Sequence, residues 1–171
     1  MPSRIGDDLI RMTAREVLAR LNAGDITHAE VLNALEARVA AVDGPVNALP
    51  TLCFDRARDH AARIAARPVA ERGILGGLPV PIKDLEAVAG VRSTQGSPIY
   101  ADHVPETSNY IVERIEACGG VVYAKSNTPE FGAGSRACLV EPDSGFPWRS
   151  FCDSLCLIAD IGVRYGQTTS T

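Results

Sequence analysis

The first third of the chain places apolar residues at helical spacing between paired start and stop signals. Thr13 and Glu16 have the spacing of a capping box, in which a hydroxyl and a carboxylate satisfy the free N–H groups of a helix start. Thr27 and Glu30 repeat that spacing, and Gly24 supplies the left-handed residue that ends the helix between them. The pattern predicts two consecutive amphipathic helices.

The middle of the chain mixes one more helix with short apolar segments bounded by glycine and proline. A third helix is predicted from about Phe54 to Ala66, and residues 73–84 read as a loop, a brief strand and another loop. Thr107 or Ser108 can cap a further helix, after which residues 121–124 form a buried strand. Helix, glycine turn and apolar strand in that order predict an α/β fold, with N-terminal helices leading into an open sheet flanked by helices.

The composition argues against a nucleic-acid-binding protein and against a membrane protein. The 171 residues are 46% hydrophobic and 22% charged with a net charge of −4, which suits a globular domain and gives no basic surface for nucleic acid. No apolar run has the roughly 20 residues that a membrane span needs. Five cysteines, an odd number, favour a reducing compartment. We therefore expect a cytoplasmic protein that binds neither nucleic acid nor membrane.

Several residue types invite chemical interpretation, and most have a structural alternative. Lys83 follows an apolar strand and adjoins Asp84, so it is either a desolvated base or a surface lysine with a buried stem. Gly76 and Gly77 lack the spacing of a phosphate-binding loop and favour a turn or close packing. The polar residues 125–131 follow a predicted strand, where either a ligand site or a capped turn is possible.

Metal and thiol chemistry find little support in the sequence. His28, His60 and His103 are widely separated and are predicted to lie at the surface. Cys152 and Cys156 form a lone pair without the second half of a zinc site. We therefore expect no metal and no cysteine nucleophile.

Two blocks of sequence together carry a specific resemblance. Residues 76–84 read Gly-Gly-Leu-Pro-Val-Pro-Ile-Lys-Asp, followed by Gly-Val-Arg-Ser-Thr at 90–94. Residues 121–131 read Val-Val-Tyr-Ala-Lys-Ser-Asn-Thr-Pro-Glu-Phe. In motif, order and separation, about residues 8–136 resemble the amidase signature family of serine-dependent amide hydrolases.

The resemblance implies a mechanism and a set of residues. Members of that family hydrolyse carboxamides through an acyl-enzyme, with a Ser–cis-Ser–Lys triad in which the lysine, here Lys83, accepts a proton. A lysine in that role has to be uncharged, which requires burial. Gly132 and Gly134, in the continuation of the second block, are the candidate substrate-binding residues. The resemblance implies a small-molecule amide substrate and neither a metal nor an organic cofactor, and it leaves the oligomeric state open.

The end of the chain departs from the family pattern. Residues 1–137 contain 22 alanines, whereas the remainder contains one and holds three of the five cysteines. No Gly-Gly-Ser-Ser-Gly-Gly segment, which would supply both serines, follows residues 131–134. We therefore divide the chain into residues 1–136, the N-terminal part of an amidase signature domain, and an atypical tail, 137–171, that a frameshift or deletion would explain.

The expected function follows from that division. The leading hypothesis is an amidase-family hydrolase that, as this chain alone, lacks the serine motif and is inactive. The alternatives are a non-catalytic fragment that binds a partner chain, and a relative of the amidase subunit of glutamyl-tRNA amidotransferase. A nucleotide-binding module is disfavoured because phosphate-loop spacing is absent.

Overall fold

A computed structural model of the chain describes residues 4–133. Gly134 and the predicted tail, 137–171, therefore lie outside the described residues. Three helices come first, then a two-residue strand and a fourth helix, then a second strand, a fifth helix and a third strand. These elements are α1 (Arg4–Arg11), α2 (Ala14–Ala23), α3 (His28–Val42), β1 (Thr51–Leu52), α4 (Phe54–Ala65), β2 (Pro79–Lys83), α5 (Tyr110–Ala117) and β3 (Val121–Ser126).

The predicted helix signals are confirmed. Both capping boxes form. The hydroxyls of Thr13 and Thr27 each accept a hydrogen bond from the backbone N–H three residues later, and the backbone N–H of each threonine donates to the carboxylate of the glutamate at that position. Gly24 ends α2 with a φ of 79°, the left-handed conformation that its sequence position predicted. The third predicted helix, about Phe54 to Ala66, matches α4 within one residue.

The three strands form one mixed sheet in the order β1-β3-β2. β3 runs parallel to β2 and antiparallel to β1, so it is the central strand of the described sheet. Its residues from Val121 to Lys125 are all buried, the continuous pattern of a strand covered on both faces. Val121 and Tyr123 face the helical side, and Val122 faces the opposite side with α5.

Two prolines limit hydrogen bonding at the outer edge of β2. The Asp84 N–H donates to Ser126 O of β3 at 2.9 Å, so by alternation the N–H groups of residues 80 and 82 also face β3. Pro79 and Pro81 therefore face away from the sheet, where neither can donate an N–H to another strand.

Two apolar cores lie on the two faces of the sheet. The larger core joins α3 and α4 to β3, and the smaller lies under the loop that follows β2 and under α5. The larger contains Leu32, Leu35, Val39, Ala48, Leu49, Phe54, Ala57, Ala61, Ile64, Val121, Tyr123 and Ala124, and the smaller contains Ile82, Val88, Val91, Val112 and Val122.

The structure corrects two details of the sequence analysis. Asn109, rather than Thr107 or Ser108, is the N-cap residue of α5, because the Ser108 hydroxyl instead accepts a bond from Ala89 N–H at 2.9 Å. His28 was predicted to lie at the surface, and this was wrong. It is 8% exposed, and its Nε2–H donates to Gly76 O at 2.9 Å.

Among the described residues, no helix is both long and apolar enough to cross a membrane.

Candidate active site

The carboxyl ends of the two parallel strands lie side by side and bring the two sequence blocks together. Lys83, the last residue of β2, is the register partner of Ser126, the last residue of β3. Open α/β sheets bind ligands at this edge of their strands. Ile82 is buried as expected, but the Lys83 side chain is exposed among the described residues rather than desolvated. The buried strand end is as predicted, and of the two alternatives left open for Lys83, its exposure among the described residues corresponds to the surface lysine.

The most buried charges of the structure lie directly beside Lys83. Lys125 is 0% exposed and Asp84 is 1% exposed, and the Lys125 Nζ is 3.0 Å from Asp84 Oδ1. The same ammonium donates to Ser93 Oγ and to Glu86 O, each at 2.7 Å. The ammonium therefore makes two hydrogen bonds and one ion pair, all with groups inside the protein.

The buried contacts of Lys125 decide which lysine can take part in proton transfer. Burial lowers the pKa of Lys125, while the hydrogen bond and the charge of Asp84 act in the opposite direction. A low pKa alone would favour Lys125 as a base, but its amine faces three acceptors inside the protein and no solvent. Lys83 and Lys125 are the only lysines of the chain, so Lys83 is the lysine that a substrate can approach.

Asp84 also organises the loop that covers this end of the sheet. Its Oδ2 accepts bonds from the Thr94 hydroxyl at 2.6 Å and from the Thr94 N–H at 3.0 Å. Its backbone carbonyl accepts a bond from Gln95 N–H at 3.1 Å. Thr94 is 0% exposed, so the loop is anchored by buried bonds to a charged acceptor, which are stronger than bonds between neutral groups.

A second loop, after β3, is bonded to the first. The Phe131 N–H donates to Gln95 O at 2.8 Å, and the Ser97 hydroxyl donates to Glu130 Oε1 at 2.7 Å. Gln95 and Phe131 have φ values of 54° and 51°, left-handed conformations that non-glycine residues adopt only at a cost. Such strain persists where the surrounding contacts hold it, and in proteins it concentrates at functional sites.

The two candidate substrate-binding glycines have different outcomes. Gly132 lies in the short 3₁₀ turn Glu130–Gly132 with a φ of 72° and is exposed, and a Cβ there would lie 2.8 Å from Leu85 Cδ1. A side chain at this position would therefore crowd the turn that follows Lys83. Gly134 lies outside the described residues, and substrate binding by either glycine stays a prediction.

The sequence analysis missed the role of Lys125. It grouped this residue with a polar loop that was either a ligand site or a turn, whereas Lys125 belongs to β3. Lys125 follows the apolar run 121–124, and a buried charge in such a strand needs an opposite charge beside it. Asp84, at the end of the block 76–84, is a carboxylate that could supply it. Those two facts were available from the sequence, but only the parallel register brings Asp84 and Lys125 together.

The described residues contain no group of three or more metal-ligating side chains that could hold a metal ion.

Comparison with known proteins agrees with this arrangement of motifs. The family model described as amidase matches residues 30–138, which is more than half of the chain. The chain belongs to the amidase family. The match spans both motif blocks, so Lys83 and the Asp84–Lys125 pair lie within the family domain.

Curated relatives of this amidase-family chain include subunits of glutamyl-tRNA(Gln) amidotransferase. The one from Anaeromyxobacter dehalogenans (strain 2CP-C) is 39% identical over 130 residues, which are 75% of this chain and 26% of that protein. The one from Moorella thermoacetica is 37% identical over 145 residues, 84% of this chain and 29% of that protein. The chain thus spans about a quarter of the length of these relatives.

Solved structures show the same fold. A 6-aminohexanoate cyclic dimer hydrolase superposes with a TM-score of 0.67 at 26% identity, covering 81% of this chain and 27% of that one. A bacterial aryl acylamidase of the amidase signature family superposes with a TM-score of 0.69 at 22% identity, covering 76% of this chain and 28% of that one. The helices and mixed sheet described above are therefore the N-terminal part of an amidase signature fold.

Proposed function

We propose that residues 1–136 are the catalytic-lysine part of an amidase domain that hydrolyses the C–N bond of a small carboxamide in the cytoplasm. One observation carries the proposal: Lys83 ends β2 beside Ser126 at the carboxyl edge of the sheet, with its side chain accessible. The other lysine, Lys125, is fully buried and makes two hydrogen bonds and an ion pair inside the protein.

The proposed role of Lys83 is that of a general base. The role requires an uncharged and therefore buried amine, and because Lys83 is exposed among the described residues, we propose that the rest of a full-length domain covers it. The uncharged amine then accepts a proton from the hydroxyl of one serine, which accepts a proton from the nucleophilic serine as that serine attacks the amide carbon. The C–N bond then breaks, the nitrogen leaves with a proton as ammonia or an amine, and water releases the acyl group from the serine. Neither a metal nor an organic cofactor enters these steps.

This chain alone is proposed to be inactive. Lys83 is proposed to supply the base, but residues 137–171 contain none of the Gly-Ser-rich sequence in which the family carries its two serines. Ser150 and Ser154 have no adjacent glycine, and Ser144 has only Gly145, whereas the tight turn of such a nucleophile needs glycine on both sides. A base without a nucleophile cannot form the acyl-enzyme.

The first experiment resequences the DNA from codon 120 to well beyond the stop codon. A Gly-Ser-rich segment in another frame would give a longer protein, which is then assayed for ammonia release from aliphatic and aryl amides beside its Lys83→Ala variant. We expect Lys83→Ala to abolish turnover with the fold retained, as judged by circular dichroism. Unchanged turnover in Lys83→Ala would exclude Lys83 as the base.

The second part of the experiment assays the 171-residue chain itself. We expect ammonia release no greater than in buffer. Turnover by this chain that disappears in Lys83→Ala would instead show that a serine elsewhere in it completes the triad.

Partner binding is the second candidate function, and exposed apolar side chains favour it. Ile74 is 79% exposed, Ile99 is 78% exposed and Tyr110 is 75% exposed, all on the part of the chain that follows α4. The amidotransferase relatives are named as subunits, so a partner protein chain is one occupant of such surfaces. Sedimentation of the purified chain tests this candidate: a homogeneous, soluble species with a stable partner supports it, and an aggregating monomer contradicts it.

A further inference from the structure

We propose that Lys125 is a positioning residue for Lys83, acting through Asp84 and the turn at the end of β2. The inference rests on the proposed function, because it assigns Lys125 a role in presenting the amine of Lys83. It adds a residue that holds the proposed base without touching the substrate.

The geometry of the turn supports this role. Lys83 O accepts a bond from Glu86 N–H at 2.9 Å, which closes the turn directly after the strand. Lys125 reaches across from β3 and binds both arms of that turn, Asp84 through its carboxylate and Glu86 through its carbonyl. The direction in which Lys83 leaves the sheet is therefore set by contacts to Lys125.

The positive charge of Lys125 is essential to this arrangement. Asp84 is 1% exposed, and its other bonds come from the uncharged donors of Thr94. A carboxylate buried without a cation is costly, and it relieves that cost by moving toward water. If Lys125 loses its charge, Asp84 and the turn have to move outward, and Lys83 moves with them.

The composition of the chain makes this displacement directly measurable. The chain has two lysines, so reductive methylation with ¹³C-formaldehyde labels Lys83 and the terminal amine while Lys125 stays protected by burial. Methylation preserves the positive charge of the amine. The ¹³C-methyl signal of Lys83, assigned by its loss in Lys83→Arg, then reports the surroundings of the proposed base in the full 171-residue chain.

The test compares the ¹³C signal in three proteins at a temperature where each is folded by circular dichroism. In the unsubstituted chain we expect one Lys83 methyl signal. In Lys125→Met, which keeps the length of the side chain but removes its charge, we expect that signal to shift or split by more than its linewidth. In the double variant Lys125→Met with Asp84→Asn, no charge is left unpaired, and we expect the signal to return toward its original position.

The return of the signal in the double variant separates positioning from a general loss of stability, because a protein that is merely less stable but folded keeps its Lys83 signal. An unshifted signal in folded Lys125→Met would overturn the proposal. Should Lys125→Met fail to fold, Ser93→Ala decides, since it removes one acceptor of Lys125 and leaves both charges in place. A shifted Lys83 signal in Ser93→Ala supports positioning, and an unshifted one overturns it.

Failure of this inference is distinguishable from failure of the proposed function. The ¹³C measurement needs no turnover, whereas the function is tested by ammonia release from a longer protein. Lys125 can therefore position Lys83 whether or not an amide is hydrolysed.

Discussion

Gly77, in the first motif block, gives a quantitative test of the packing between that block and α3. Its φ is 95°, and a Cβ built on it would collide with the ring atoms Cδ2 and Nε2 of His28. Gly24 is a matched control, because its φ of 79° is also left-handed but a Cβ there would meet nothing within 4 Å. Comparing Gly77→Ala with Gly24→Ala therefore isolates the collision from the cost of the backbone conformation.

The magnitudes follow from the two environments. A left-handed alanine costs about 1–2 kcal/mol, and the lower entropy of the unfolded alanine chain offsets about 0.4–1 kcal/mol of it. We therefore expect Gly24→Ala to reduce the free energy of unfolding by about 1 kcal/mol. In Gly77→Ala the displaced ring also loses its buried bond to Gly76 O, worth about 1–3 kcal/mol, for a total of about 2–4 kcal/mol.

Urea unfolding followed by far-ultraviolet circular dichroism measures both variants, and the linear extrapolation gives the free energy of unfolding. A double-mutant cycle with His28→Ala completes the test. Once the ring is absent, we expect Gly77→Ala to cost no more than Gly24→Ala. The reasoning is refuted if Gly77→Ala and Gly24→Ala are equally destabilising in the presence of His28.

Two further predictions concern charged groups. Hydrogen bonds from the backbone and the hydroxyl of Thr27 lower the pKa of Glu30 below its ordinary value of 4.5. The capping box therefore contributes its full stability above about pH 4.5 and loses it as the pH falls through the lowered pKa of the folded state. Glu30→Gln should flatten that acid loss of stability, and an unchanged profile of stability against pH would contradict the assignment. Lys125→Met should reduce the free energy of unfolding by about 3–5 kcal/mol because it leaves Asp84 buried without a cation, and the double variant with Asp84→Asn should recover part of that loss. Equal stability of the single and double variants by urea unfolding would show that the pair is not electrostatically coupled.

The family and the general architecture could be predicted from the sequence because the signals are local. The capping boxes at Thr13 and Thr27 depend on residues three apart, and α4 was bounded by an apolar period and a following proline. The two motif blocks are runs of adjacent residues, so their resemblance to the amidase signature family needed no tertiary information. Lys83 was placed at a strand end for the same reason.

The burial of individual side chains was the property that local sequence patterns predicted poorly. His28 was predicted at the surface because a histidine near a helix start has no sequence mark of burial, yet Gly77, distant in sequence, leaves room for its ring. For Lys83 the sequence left a desolvated base and a surface lysine open, and the side chain is exposed among the described residues. Exposure depends on which distant segments cover a residue, and no pattern around Lys83 reports that.

The sequence by itself determined the caps of α2 and α3, the extent of α4, the α/β class, the family and the identity of the two lysines. The tertiary structure alone decided their different roles. The parallel register of β2 and β3 aligns Lys83 with Ser126 and brings Lys125 within 3.0 Å of Asp84. The physical reason is that an ion pair between residues far apart in sequence depends on strand alignment, whereas caps, turns and motifs depend on neighbours along the chain.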